Sequence, residues 1–393
     1  MRRLIALVVL AAPMSVTASL DQPAFQACLE DLRTQAVDQG IDRGTVDAAF
    51  AGLELQERVL ELDRSQPEFL QTFGQYLGTR VTDSRVERGR ELLREHAALL
   101  EQIHATYGVQ PHYLVALWGL ETNFGSYFGT MPVLDSLATL ACDQRRSDYF
   151  TGELVEALRI LDAGHIDQDS MRGSWAGAMG HTQFMPSTFT RYAVDGSGNG
   201  RIDLWNDLED VFASSANYLA RIGWRDGERW GREVRIPDGF DWSQADGRER
   251  RSVRAWADKG VRAADGTPLP DSDIEAALIV PAGHQGPAFL VYNNFRQIMR
   301  WNTSTSYALA VGHLADRIAG MGTLHTQPPD ETALRREEVK EMQQRLNALG
   351  FDSGRPDGIA GRMTRSALRE FQLSRDLPAD GHPNQAMLQA LRR

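Results

Sequence analysis

The stretch PHYLVALWGLETNFGSYFG, Pro111 to Gly129, sets one carboxylate, Glu121, inside an otherwise apolar helical run. Pro111 suits a first helical turn, where its missing N–H costs nothing. Leu114, Leu117 and Trp118 lie seven, four and three residues before Glu121, so all four share one helix face. Glu121 therefore points where the hydrophobic side chains point. A carboxyl held against apolar groups has its charged form disfavoured and its pKa raised, as a general acid working near neutral pH requires. Gly125 is expected to close the helix. A glutamate at a fraying helix end can instead turn to solvent, so other segments must decide between the two.

Residues 24–62 and 86–107 carry helical periodicity, with Phe25, Leu29, Leu32, Val37, Leu92, Leu99 and Ile103 facing inward and a break at Pro67. Further helices are expected at 132–140, 148–163, 186–192, 208–222 and 304–318. Between 233 and 291 the texture changes to short β-like runs, EVRIP, RSVRAWA, AALIVPA and AFLVY, separated by Gly, Pro and Asp turn signals. The chain is thus read as mainly α (α+β), with a small β-rich insertion in a body spanning 19–320. Residues 321–335, with Pro328-Pro329, form an extended, semi-rigid linker to a small three-helix module at 336–393.

With 393 residues, 42% hydrophobic and 24% charged, the chain suits two or three soluble domains. Arg2 and Arg3, the apolar run Leu4–Met14 and the small residues ending at Ala18 read as a secretory signal over 1–18. Ser19, not cysteine, stands directly after Ala18, so no lipid anchor is expected, and no later apolar run reaches the ~20 residues of a membrane span. The protein is therefore expected to be exported, in the periplasm. Its net charge of -11, more negative still without Arg2 and Arg3, opposes nucleic-acid phosphate. Cys28 and Cys142 fit one disulfide in an oxidising compartment or two buried thiols, and they have no metal-ligand spacing. The nine histidines form no HExxH.

Four segments in order, GLETNFG at 119–125, LDSLATLACDQRRSDYF at 134–150, GSWAGAMGHTQFMPSTF at 173–189 and the stretch 195–224, resemble the lytic murein transglycosylase B family. The resemblance implies a lysozyme-like helical catalytic domain. Its implied reaction is cleavage of the MurNAc–GlcNAc β-1,4 bond of peptidoglycan with formation of a 1,6-anhydro sugar. Glu121 matches the catalytic residue, acting as acid and then as base. Ser174 and Gln183 match polar residues beside the acid, Tyr218 and Asn302 match sugar contacts, and Arg145 and Arg146 match a paired arginine. Hydroxyl and amide groups suit acetamido groups, and guanidinium suits a lactyl or peptide carboxylate. Trp301 stands where the family pattern has Tyr.

Asp195, Ser197, Asn199 and Asp203 place oxygen at positions one, three, five and nine of an EF-hand-like loop, with Gly200 at six and the Arg201 carbonyl at seven. Asn206 replaces the usual Glu at twelve, and the family's longer loop points to Asp210. Such a set would hold a structural Ca²⁺ weakly; the alternative is an Asp/Gly turn closed by its own hydrogen bonds. No redox or organic cofactor is implied. Residues 336–393, with Leu346, Gly350, Phe351, Asp357-Gly358, Gly361, Thr364 and Phe371-Gln372, resemble a peptidoglycan-binding domain. The expected partner is the glycan strand, with other cell-wall enzymes an open class. Two rivals remain: a hydrolytic muramidase with Asp135, Asp143 or Asp148 as second carboxylate, and a catalytically idle wall-binding protein.

Overall fold

Residues 20–65, 71–143 and 145–393 are described in a computed structural model of the protein; the signal-like segment and Pro67 lie outside them. The first periodic stretch forms three helices, not one continuous run. Gln22–Asp38 starts at Asp21, whose carboxylate accepts from Ala24 N, and buries Phe25, Leu29, Leu32 and Ala36. Val37 is only half-buried, because the stripe runs through Ala36. Gly40, at φ 85°, makes the turn into Arg43–Phe50, which Asp42 caps, and Glu57–Ser65 follows. A helix absent from the periodicity reading, Phe73–Arg80, is secured by a capping box between Thr72 and Gln75. Asp83–Glu95 and Ala97–Tyr107 complete the approach to the central helix, Pro111–Thr122.

That central helix is buried continuously from Tyr113 to Gly119 and packs against Asp83–Glu95 and Thr305–Ile318. It ends at Thr122, three residues before the expected Gly125. Asn123, Phe124 and Gly125 all take left-handed backbone, at φ 49°, 60° and 78°. Around it lie Val133–Cys142, Ser147–Asp162, Pro186–Tyr192 and Leu208–Arg221. Cys28 and Cys142 are joined in a disulfide, which ties the first helix to Val133–Cys142 and removes the free-thiol alternative.

The insertion is a five-stranded antiparallel sheet ordered Asp246–Ser252, Glu275–Ile279, Ala288–Val291, Gly231–Arg235, Arg262–Ala263. Strand alternation explains its place. Ala276, Leu278, Ala288 and Leu290 face a small core with Val253 and Trp256, whereas Ala277, Phe289 and Val291 join the main helical core. RSVRAWA is only partly strand: Val253–Asp258 is a helix, capped by the Ser252 hydroxyl accepting from Ala255 N at 3.1 Å. Apolar residues three apart, Val253 and Trp256, fit either period over so short a run.

Arg336–Ala348, Arg362–Leu373 and Gln385–Arg392 surround a third core of Met342, Leu346, Leu368, Phe371 and Leu388. The connector is not free in solvent. Glu233 accepts from the backbone of His325 and Thr326 at 2.8 and 2.7 Å, and Pro328 lies against Gly74. Asp380 of the module accepts from His284 N at 2.8 Å and contacts its Nδ1 at 2.7 Å, so the three-helix unit is docked on the insertion.

Candidate active site

Glu121 sits in the last turn of the central helix, half-buried, with its carboxyl stripped of most of its water. Burial pushes its pKa up to about 7, opposed by hydrogen bonds from Tyr307 and Trp301 and by the Arg80 charge. The Tyr307 hydroxyl, buried on Thr305–Ile318, meets Oε1 directly. The Trp301 indole N–H, at the end of Asn293–Trp301, is a second donor. Arg80 lies over the Tyr76 ring at 5.4 Å, so one helix brings cation and aromatic to the same side. Burial thus keeps a large share of one acid protonated near neutral pH, while three elements separated in sequence offer donors and a cation to its ionised form. The kcat/KM for a reaction that needs protonated Glu121 is expected to be level at mildly acidic pH and to fall as pH rises through about 7. A pH profile measured on soluble glycan checks this.

The loop after Glu121 draws in the next motif. Met131 and Pro132 pair with Gly173 and Arg172, and a Cβ on Gly129 would lie 2.1 Å from Gly173 O, so Ser174 is pressed against this loop. The Ser174 hydroxyl accepts from Ala176 N and Ala178 N at 3.3 and 3.0 Å. Its own proton has no acceptor among the described residues. Gln183, at φ 51°, donates its amide to Phe128 O and Gly180 O, both at 3.0 Å, leaving Oε1 as an acceptor.

Tyr218 has a packing role that its motif did not announce. Its hydroxyl donates to Arg300 O at 3.0 Å, and its ring stands edge-on to Trp301 at 5.2 Å while Phe184 packs on Trp301 at 5.3 Å. Asn302 is exposed just beyond Trp301, with Oδ1 accepting from Ser304 N at 3.0 Å. Arg145 and Arg146 are not among the groups acting on Glu121. Both grip buried Asp63, Arg145 Nη1 at 3.1 Å from its carboxylate, and Arg146 also lies over the Phe150 ring.

The EF-hand-like loop is closed by hydrogen bonds. Asp195 accepts from the backbone of Gly198, Asn199 and Gly200 at 2.7, 3.1 and 2.7 Å, and buried Asp210 from Gly196, Ser197 and Asp203 at 2.8, 3.2 and 2.7 Å. Asn199 Oδ1 accepts from Arg201 N at 2.9 Å. Among the described residues no group of three or more His, Cys, Asp or Glu is close enough to share a metal. The donors are nevertheless all oxygen, and carboxylates retain further lone pairs, so the set suits a hard cation in chemical type.

Among the described residues, no second carboxylate is one of the groups acting on Glu121. Asp135 instead accepts from Glu54 N at 2.9 Å, and Asp143 lies 3.9 Å from Arg64. Tyr307 and Arg80 escaped the sequence reading. A Tyr in an apolar helix and an Arg after a short one look like core and surface, and only their packing brings them to the acid.

One acid on a central helix, with its carboxyl desolvated and served by donors from flanking helices, sits in a lysozyme-like fold. The chain belongs to the transglycosylase SLT family: residues 24–316 match its domain, and residues 335–391 match the peptidoglycan binding domain family. It is 34% identical over 245 residues to the membrane-bound lytic murein transglycosylase B of Escherichia coli, a match spanning 61% of this chain and 65% of that relative. Pseudomonas aeruginosa SltB3, in complex with NAG-anhNAM-pentapeptide, is 45% identical with a TM-score of 0.91, covering 94% of this chain and 99% of that one. Escherichia coli Slt35, in complex with calcium, is 31% identical with a TM-score of 0.63, covering 76% and 93%.

Proposed function

We propose that this protein is an exported lytic transglycosylase that cleaves the MurNAc–GlcNAc bond of peptidoglycan and leaves a 1,6-anhydro end. The observation that carries the reading is a single acid held at about pKa 7, with two donors and a cation and, among the described residues, no second carboxylate acting on it. Protonated Glu121 gives its proton to the glycosidic oxygen as the C1–O bond breaks. The resulting carboxylate is stabilised by Tyr307, Trp301 and Arg80. It then takes the proton of the sugar's own 6-hydroxyl as O6 bonds to C1, which restores the acid. A tethered hydroxyl outcompetes water because its orientation is already set.

Ser174, through its free proton, and Gln183, through Oε1, would hold acetamido or hydroxyl groups next to the acid, and Asn302 would bind beyond Trp301. Arg145 and Arg146 share one carboxylate, Asp63, so a net positive charge is left for a lactyl or peptide carboxylate. The 336–393 module would hold the enzyme on the wall and raise local substrate concentration. Mass spectrometry of fragments released from purified sacculi tests the reaction: anhydro ends are expected. Mainly reducing ends, each heavier by one water, would reject the lyase and favour the hydrolytic rival.

Slt35 was solved with calcium, and the oxygen donors of Asp195, Ser197, Asn199, Arg201 and Asp210 fit that ion in type, so Ca²⁺ is proposed as a structural ligand. With a Kd on the order of 10⁻⁴ to 10⁻³ M, 10 mM Ca²⁺ should stabilise the fold by about 1–3 kcal/mol. Thermal unfolding in Ca²⁺ and in chelator reads this, and identical curves for wild type and Asp195→Ala would remove the ion.

A further inference from the structure

His181 grips the catalytic helix on both sides of Glu121, once through its ring and once through its backbone. Its Nδ1 accepts from the Trp118 indole at 2.7 Å, and its backbone carbonyl accepts from the Thr122 hydroxyl at 2.8 Å. These positions lie three before and one after the acid. The same Thr122 oxygen accepts from Gly125 N at 3.0 Å, so the bond to His181 continues into the left-handed segment 123–125. The ring presses there too: a Cβ on Gly125 would lie 2.3 Å from its Cε1, and the Phe128 ring packs on it at 4.6 Å.

The ring is itself held from behind. With Nδ1 accepting from Trp118, Nε2 must carry the proton, and it faces Trp205 O at 3.1 Å. His181 N donates to Leu204 O at 2.9 Å, and Trp205 N is anchored on Asp203 at 2.9 Å. Neutral imidazole thus bridges the catalytic helix to the 203–206 turn, with donor and acceptor each used once.

We propose that His181 is a positioning residue: by fixing Trp118, Thr122 and the left-handed turn after them, it aims the Glu121 carboxyl at Tyr307 and Trp301. Neither Asn123 nor Phe124 is glycine; asparagine tolerates left-handed backbone, but for Phe124 it is unfavourable. Released from His181, the final turn would relax towards regular helix and rotate Glu121 away from its donors and into solvent. Among the described residues, the groups facing the acid are Tyr307, Trp301 and Arg80, and the charged group acting on the His181 ring is Asp203. The inference rests on Glu121 as the acid. Glu121→Gln separates the two ideas, since an active Glu121→Gln would sink that reading whatever His181 does.

His181→Leu keeps an apolar body and removes both ring bonds, whereas His181→Gln returns one acceptor and one donor. On soluble glycan, kcat for His181→Leu should fall by about 10- to 100-fold with KM within twofold, as expected of a lost aim and not lost binding. The fall of kcat/KM with rising pH should move to lower pH, because a solvated Glu121 regains an ordinary carboxylate pKa. His181→Gln should recover most of both. Should His181→Leu not fold, Trp118→Phe removes only the indole donor and must move the profile the same way. An unmoved pH profile in a folded variant, or kcat within twofold of wild type, would overturn the proposal.

Discussion

Glu121→Gln is expected to fold normally and to lose glycan cleavage by about 10³- to 10⁴-fold, the share of a positioned acid–base group. The amide matches the acid in shape and can still meet Tyr307, but it has no proton to give to a leaving oxygen and cannot take one from a 6-hydroxyl. Stability should change with a definite sign. Folding raises the Glu121 pKa from 4.5 to about 7, so the fold favours the neutral carboxyl. That contribution is complete below the unfolded value and is lost as pH rises through about 7; above it the protein carries an ionised, desolvated carboxylate. Glutamine avoids this, so the variant should match wild type at pH 4 and exceed it at pH 8 by about 2 kcal/mol, a figure discounted because the residue is half-buried. Turnover within tenfold of wild type, measured beside thermal unfolding at both pH values, would remove Glu121 from its role.

Opening the disulfide should give the largest loss of stability. Cys28 and Cys142 are 114 residues apart, and closing so long a loop in the unfolded chain stabilises the fold by about 4–5 kcal/mol in chain-entropy terms, with 2–5 typical on removal. The double substitution Cys28→Ala/Cys142→Ala should therefore lower Tm on the order of 10 °C. The bond joins the first helix to Val133–Cys142, and neither cysteine is among the groups acting on Glu121, so activity at 25 °C should persist. A Tm within 2 °C of wild type would mean that the non-covalent packing of Phe25, Leu29 and Leu32 already holds this helix in place.

Where apolar spacing was regular, the elements could be read in advance. Expected spans 148–163 and 208–222 became Ser147–Asp162 and Leu208–Arg221, because a long stripe has one way to be buried. Short runs misled, as at Val253–Asp258, where six residues suit helix or strand and the Ser252 cap decides. Asn293–Trp301 was missed because its inward face is polar: Asn293 and Asn294 are buried through hydrogen bonds to Gly223, Arg225 and Glu228, and Gln297 donates to Asn293. The linker composition announced an extended segment, but not that Glu233 and Gly74 would hold it down.

What the sequence determined by itself was the candidate acid: Glu121 lies on a face whose other members are Leu114, Leu117 and Trp118, and the motif order around it chose the inward reading over a frayed helix end. It also supplied the motif order through which Ser174 and Gln183 were named. Tertiary structure alone decided what that acid meets. Tyr307, Trp301 and Arg80 come from three helices, and their distance from Glu121 in sequence carries no information about contact. The early end of the helix at Thr122 was likewise settled from outside, since Asn123 and Phe124 have no local preference strong enough for left-handed backbone. Bonds from His181 to Trp118 and Thr122 hold that turn, and such bonds exist only once the core has brought the segments together.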